Sequence, residues 1–560
     1  MDAPDAEHDS PRPTPQFEPM PGTSQSLNNA GGFAFAVDDW TRLDRFLVLG
    51  SEGGSYYASE RRLTLQNVEA VRRCLEADGP RAVTRIVTIS DEGRALKNDP
   101  AIFALAMAAG AGSAATRALA LAALPRVCRT GTHLFQFAEG IGAMRGWGRA
   151  LRRAVGDWYT EKTPRELAHQ LSKYQKRGGW SHQDLLRMCH VKASEPSNTA
   201  LRWAVGKGIE SNAMDASSPL APIVGFEAIK RAATSAEVIR LIHEYGLPRE
   251  CVPTRWLTEA GVWEALLETM PLGALVRNLA TMTRVGLLTP GSAAAGRVVL
   301  ALADTERLRR SRLHPIALLA ALRTYGSGRG ILGRGYWFPV SQIVDALDEA
   351  FYAAFRIPEP TNKRWLLALD VSGSMAHGEV AGIPGLTPRD AATAMALVTA
   401  ATEVEHHLIG FTGRGFSSPP SDRPRAEGWS QFPNARVGVE TLPIGPGQRL
   451  DDAIQIVSDL PMGPTDCSLP MLYALELRIP VDVFVVYTDS ETWHGAIHPI
   501  QALHRYRNRM GIAAKLIVVA MVSSGFSIAD PDDAGMMDVV GFDMAVPQLI
   551  SHFAVADARN

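Results

Sequence analysis

Trp365-Leu-Leu-Ala-Leu-Asp-Val-Ser-Gly-Ser374 decides how this chain of 560 residues is read. Its first five residues are a short, continuous apolar run bounded by polar residues, the pattern of a buried strand. Asp370, Ser372 and Ser374 then follow at i, i+2 and i+4, where such a strand ends. In an extended segment these side chains point the same way. Ser and Gly after a strand would by themselves make only a turn. Two later pieces argue for more. Gly463-Pro-Thr465-Asp466 offers a hydroxyl in a loop, and Val481-Asp-Val-Phe-Val-Val-Tyr-Thr-Asp489 ends a second apolar strand on a carboxylate. Two carboxylates and three hydroxyls suit a hard cation, and Mg²⁺ takes only one or two protein carboxylates and keeps several waters.

The set Asp370-x-Ser372-x-Ser374, Thr465 and Asp489 resembles the metal-ion-dependent adhesion site of von Willebrand factor type A domains. The resemblance implies that these five residues hold a divalent metal, with Mg²⁺ expected. Asp390 and Glu491 are acids nearby in sequence that no repeat of the pattern commits to the metal. Asp466, beside Thr465, is a candidate to support it.

Residues 362–555 alternate apolar strands with amphipathic helices. Strands are expected at 365–369, 408–411, 481–487, 515–521 and 539–542, and helices at 388–405, 450–460, 469–477, 499–509 and 547–553. A Pro/Gly loop is expected over 413–434. This is an α/β doubly wound pattern with a mostly parallel sheet, and such sheets bind ligands at the carboxyl ends of their strands.

A chain this long exceeds one core, so two or three domains are expected. Hydrophobic residues make up 46% and charged residues 21%, ordinary values for a soluble globular protein. No apolar run reaches the roughly 18 residues of a membrane span. The first residues, Met1-Asp-Ala-Pro-Asp-Ala-Glu-His-Asp-Ser10, do not read as a secretory signal. Five scattered cysteines without a C-x-x-C pair suggest reduced thiols and a cytoplasmic protein.

The net charge of −2 conceals an asymmetry. Residues 361–560 carry 14 basic against 22 acidic side chains, a net of −8, and residues 1–360 carry 43 against 37, a net of +6. A basic block beside an acidic one points to a polyanion partner for the first, or to solvated charge on helices.

Residues 1–29 are rich in Pro, Ser, Asp and Gln and are expected to form a disordered tail. From Gly32 onward the texture becomes helical. Gly50-Ser-Glu-Gly-Gly-Ser-Tyr-Tyr57 matches no phosphate-binding motif and reads as a turn. Residues 101–124 read as a buried helix pair. Amphipathic stretches follow at 133–153, 164–175, 181–189, 199–207, 226–244, 262–269, 271–282, 294–308 and 315–324. Strand signals are nearly absent, so stacked helix pairs are expected, although no strict period is visible.

Trp40-x-Arg42-Leu-x-Arg45-Phe-Leu47, Gly50–Tyr57, Tyr174-Gln-Lys-Arg177, Gly179-Trp-Ser-His182, Trp263-Glu-Ala-Leu-Leu267 and His314-Pro315 resemble the TROVE module of the Ro autoantigen family. In that family the module is followed directly by a type A domain, so the resemblance covers roughly residues 31–555. It implies three parts: the tail 1–29, an all-α, HEAT-like helical-repeat ring over 30–360, and the α/β type A domain over 361–560. It also implies binding of a small Y-like non-coding RNA on the ring's outer basic surface. The ring's hole is expected to admit the single-stranded 3′ ends of misfolded RNAs. In bacteria the family acts in RNA quality control and decay, where a Y RNA tethers the ring to an exoribonuclease. The Ala-, Arg- and Gly-rich composition is compatible with such a source.

Residues 160–208 suit an RNA partner by composition. Nine cations there face four acids, with Tyr174, Trp180, His169, His182 and His190 interleaved. Lys and Arg neutralise phosphates, and rings stack on unpaired bases. Lys173, Arg177 and His190 match the family's Y-RNA-contacting positions, and Lys176 lies beside them. Lys173 and Arg177, four residues apart, are expected on one helix face. Each alone reads equally well as an exposed helix cation, and His190 alone as a structural histidine.

No G-x-S-x-G, H-E-x-x-H or P-loop is present. The expectation is therefore a non-enzymatic RNA-binding protein, monomeric because one chain can close a ring. The alternative is a metal-dependent interaction module whose cation completes its coordination with an acidic side chain of a protein partner. A metal-dependent nuclease is a third, weaker reading.

Overall fold

The computed structural model describes residues 12–209, 216–330, 335–355, 358–413 and 438–556. Most of the loop expected over 413–434 lies outside them. Numbered along the chain, the strands are β1 (Gln25–Leu27), β2 (Phe33–Ala36), β3 (Lys176–Arg177), β4 (Trp180–Ser181), β5 (Trp365–Asp370), β6 (His406–Phe411), β7 (Val439–Thr441), β8 (Val483–Thr488), β9 (Lys515–Ala520), β10 (Phe526–Ser527) and β11 (Met536–Val540). The chain divides into two units, one combining residues through 70 with those from 355 on, the other spanning 71–354.

In the first unit, six strands make one sheet in the order β11-β9-β8-β5-β6-β7. Every neighbouring pair is parallel except β6–β7. β7 was not foreseen, being three residues long with two of them exposed, which leaves little apolar pattern to read. β5, β8 and β9 are buried at every position, as parallel strands covered on both faces must be. Alternate residues of neighbouring strands (Leu366 and Ala368, Phe484 and Val486, Leu516 and Val518) enter one core cluster, following the period of two. The helix Pro388–Thr402 starts with Pro at its first position and a reciprocal Thr387–Asp390 capping box. All of its residues except Ala401 are buried. Asp390, one of the acids near the metal pattern, is thus a helix cap.

The expected disordered tail is corrected over residues 12–29. Met20 joins the core cluster, β1 pairs antiparallel with β2, and β2 pairs with β10. The segment is poor in apolar residues, and what orders it is hydrogen bonding to residues 450 or more positions away. Composition cannot register such partners. Residues 30–70, assigned in sequence to the helical module, also pack in this unit. Arg45, in the helix Asp39–Leu49, is fully buried there. Its guanidinium donates to the carbonyls of Ser524 and Phe526 at 2.7 and 2.9 Å and pairs with both oxygens of Asp538 at 2.6–2.7 Å.

Among the described residues, the named strands of the second unit are those of the hairpin β3–β4, and its other elements are helical. The expected pair over 101–124 is Asp99–Ala111 and Ala114–Ala122, with Ser113 capping the latter. The stretches at 133–153, 226–244 and 294–308 each resolve into two helices. The helix Glu60–Glu92, which runs from the first unit into the second, was not foreseen. It contains Pro80 and is broken at Asp78, whose backbone is non-helical at φ −155° and ψ 84°. His314 is buried, accepts from the Ile316 amide at the start of Pro315–Gly326 and lies 3.1 Å from the Arg94 carbonyl.

Removing one partner of a buried ion pair costs about 3–5 kcal/mol. Asp538 keeps Ser527 as a donor, so Arg45→Met is expected at the lower end, about 3 kcal/mol in urea unfolding. A loss under about 1 kcal/mol would show that Arg45 does not anchor its helix.

Candidate metal centre and nucleic-acid interface

The strand order reverses beside β5. The chain passes from β5 to β6 on one side and later to β8 on the other, which makes the carboxyl ends of β5 and β8 the switch point where such sheets bind ligands. Asp370 ends β5 and Asp489 follows β8. Ser372, Ser374 and Thr465 complete the set, and all five side chains are buried. The extended-strand argument holds only for Asp370 and Ser372. Ser374 lies in a 3₁₀ turn, Gly373–Ala376, that brings its hydroxyl 3.1 Å from that of Ser372.

Asp370 Oδ1 accepts from the Ser372 amide at 2.9 Å, and Oδ2 from the Thr488 hydroxyl at 2.6 Å. Burial raises the Asp370 carboxyl, against the donors on Ser372 and Thr488 and the charge of Arg389. Arg389 is buried and donates to the carbonyl of Val371. Burial, then the charges of Asp370 and Glu491, push Asp489 up to about 8. Tyr57 feels the same two aspartates, and its phenol is pushed up to about 12, chiefly by burial. Sequence reading left Gly50–Tyr57 as a turn, because nothing local links Tyr57 to the distant residues of this site. Glu491 accepts from Asn29 and the Ala30 amide, and Asp466 from Ser468 and Gln16.

The hydroxyl of Thr465 is buried with no hydrogen-bond partner. An orphaned buried hydroxyl is costly, and so are two carboxylates buried together. A divalent cation would relieve both, and the oxygen-only donors fit Mg²⁺. Among the described residues no three His, Cys, Asp or Glu converge on a metal; here hydroxyls make up most of the donor set. At a hundredfold excess over its Kd, Mg²⁺ is expected to stabilise the chain by about 2.7 kcal/mol. Thermal unfolding with and without EDTA reads the gain. Asp370→Ala should abolish the gain, and Thr465→Val should reduce the affinity. A gain that survives Asp370→Ala places the ion elsewhere.

The helical unit separates the candidate RNA residues by role. The helix Pro164–Lys173 ends at Lys173, with Tyr174 as its C-cap. Arg177 lies on β3, so the expectation of one shared helix face is corrected. Gly178 and Gly179, at φ 56° and 84°, turn the β3–β4 hairpin, the conformation that a type I′ turn requires. Lys176 and Arg177 are exposed on it. Ser181 caps the helix His182–Cys189, and His190 closes that helix, exposed and left-handed at φ 51°. An eight-residue helix is about 12 Å long, so His190 at its end and the hairpin before its start do not form one pocket.

Other residues of the basic stretch turn inward. Lys162 donates to the Trp158 carbonyl at 2.8 Å and lies 3.5 Å from a Trp158 ring centroid. Burial lowers it to about 8. His182 is buried against Phe135, Trp158 and Tyr159, with Nδ1 2.9 Å from the Tyr159 hydroxyl, and is structural. Sequence reading missed Arg149, Arg152 and Arg153, just outside the stretch chosen for its charge. With Trp147 and Lys192 they line a cavity of about 550 Å³ that Cys189 and Val191, the neighbours of His190, also line. None of these four cations forms an ion pair among the described residues.

Burial lowers the His182 imidazole to about 4. The unfolded chain, at about 6.5, takes up the proton first. The contribution of neutral His182 is therefore whole above about pH 6.5 and declines toward about pH 4, by up to about 1.4 kcal/mol per pH unit. His182→Phe should flatten urea-unfolding stability between about pH 6.5 and 5. An unchanged slope would assign the acid sensitivity to other groups.

Residues 26–216 and 244–326 match the TROVE domain family, and residues 364–554 match the Ro60 vWA domain. The chain is 42% identical over 532 residues to RNA-binding protein RO60 of Deinococcus radiodurans, covering 95% of each. It is 36% identical over 605 residues to RNA-binding protein RO60 of Caenorhabditis elegans, covering 94% of this chain and 90% of that one. The crystal structure of the Deinococcus radiodurans RO (RSR) protein superposes with a TM-score of 0.68 at 42% identity, over 92% of this chain and 99% of that chain.

Proposed function

The chain belongs to the Ro family, and from that premise we propose that its helical unit binds RNA without cutting it. The protein is an RNA-binding protein of the Ro type. The finer reading is that a small Y-like RNA lies on the face carrying Lys173, Lys176, Arg177 and His190. The single-stranded 3′ end of a misfolded RNA enters the hole of the helical ring. The protein then acts in cytoplasmic RNA quality control as a monomer, with an exoribonuclease as downstream partner.

The observation that carries this reading is a set of accessible basic side chains: Lys176 and Arg177 exposed on the hairpin, and the cavity lined by Arg149, Arg152, Arg153 and Lys192. Such cations neutralise phosphates and release the counterions condensed on the RNA. Trp147 in the cavity wall, 5.7 Å between ring centroids from Trp180, adds a surface for a base.

A structured RNA with a single-stranded 3′ tail should bind tightly, lose affinity with salt and remain intact. Lys176→Ala with Arg177→Ala should reduce the slope of log K against log salt by about 2, one per phosphate contact. An unchanged slope would remove the hairpin from the interface, and RNA cleavage in Mg²⁺ would overturn the non-catalytic reading.

The orphaned Thr465 hydroxyl favours a second role in the same chain. The type A unit holds Mg²⁺ on Asp370, Ser372, Ser374, Thr465 and Asp489, and the ion's open position accepts an acidic side chain of a protein partner. Asp370→Ala should remove metal uptake and leave RNA affinity within about twofold, since in this division of labour no coupling free energy links the two sites. Loss of RNA binding in a folded Asp370→Ala variant would refute that division.

A further inference from the structure

The first described residues dock on the two loops that carry the candidate metal donors. Gln16 is fully buried. Its amide donates to the Gly495 carbonyl, and its own carbonyl accepts from the Phe33 amide, each at 2.8 Å. Its side-chain Nε2 donates to Asp466 Oδ1 and to the Ile497 carbonyl, both at 2.8 Å. Its Oε1 accepts from the Thr492 hydroxyl, and that hydroxyl accepts from the Cys467 amide at 3.2 Å. One carboxamide thus satisfies both the loop of Thr465 and Asp466 and the loop that follows Asp489.

The two loops also meet directly. The Thr465 carbonyl accepts from the amides of Trp493 and His494 at 3.2 and 3.1 Å. The approach of the N-terminal segment is close enough to demand glycine at two points. A Cβ at Gly495 would lie 2.1 Å from Gln16 Nε2 and 2.4 Å from Asp466 Oδ1, and one at Gly32 would lie 2.0 Å from the Thr492 carbonyl oxygen. Asn28 adds a 2.7 Å bond to that same carbonyl oxygen.

We propose that Gln16 is a positioning residue for the divalent-cation site, holding the Thr465 loop in register with the Asp489 loop from the far end of the chain. The inference rests on the reading of the five donors as a cation site. Gln16 acts through Asp466, the neighbour of Thr465, and through Thr492, three residues beyond Asp489. Residues that orient a ligand without binding the metal typically carry about 10- to 100-fold of its affinity.

The test uses the full chain, with Mg²⁺ uptake measured calorimetrically and apo stability measured in EDTA. Gln16→Met keeps the bulk and removes the bridge, and should weaken Mg²⁺ binding by roughly 10- to 100-fold. Thr492→Val removes the hydroxyl between Gln16 and Cys467 and should weaken it by roughly tenfold. It decides the matter if Gln16→Met does not fold. Gln501→Ala is the control. Gln501 holds the same segment through the Thr14 amide at 3.0 Å and lies outside both loops. Its loss should lower apo stability while leaving Mg²⁺ affinity within about twofold of wild type, below the range for orienting residues. Wild-type affinity in folded Gln16→Met or Thr492→Val overturns the proposal, as does an equal loss in Gln501→Ala. A wild-type chain that takes up no Mg²⁺ overturns the cation reading itself, and the inference with it.

Discussion

Two carboxylates buried side by side are the constraint around which the type A unit is arranged. Asp370 and Asp489 end adjacent parallel strands at the point where the strand order reverses. The charge of Asp370 raises the cost of ionising Asp489. The fold cannot move them apart, because their backbone positions are set by the β5–β8 register. What it supplies is a set of neutral hydrogen-bond donors and oxygens that, as proposed, a hard cation would complete. Arg389, a buried cation close by whose charge favours ionised Asp370, also donates to backbone carbonyls, that of Val371 among them.

The helical unit solves a different problem. Its candidate RNA residues lie at helix ends and on a hairpin. Lys173 closes one helix, His190 closes another, and Lys176 and Arg177 stand on a two-residue strand between them. Side chains at helix ends and on a hairpin have fewer i±4 neighbours with which to pair. Lys162 and His182, in the same sequence stretch, turn inward to pack against Trp158. A count of charges cannot make that distinction.

The local periodicities carried the α/β alternation and the succession of helices, because each is a pattern within a few residues; the five candidate donors, spread from Asp370 to Asp489, were set together by the family resemblance. The family resemblance that rested on these motifs is borne out in both halves of the chain. Three things were hidden. The order of residues 12–29 depends on Gln16 and Asn28 finding partners 450 or more positions away. Arg45, read as part of a motif, is an internal anchor for its helix. The Lys173–Arg177 spacing fits a helix, yet Gly178 and Gly179 turn a hairpin there. In each case a non-local or turn-level interaction outweighed the local pattern.

One chain of an RNA-binding protein of the Ro type thus carries, as proposed, an RNA-binding face on its helical unit and a cation site built at the sheet's switch point. The most direct measurement is anomalous scattering from crystals of the full chain soaked in Mn²⁺, a Mg²⁺ surrogate with the same preference for oxygen donors. A single anomalous peak enclosed by Asp370, Ser372, Ser374, Thr465 and Asp489 is the predicted result. A peak at other residues, or none while those five side chains stay in place, would contradict it.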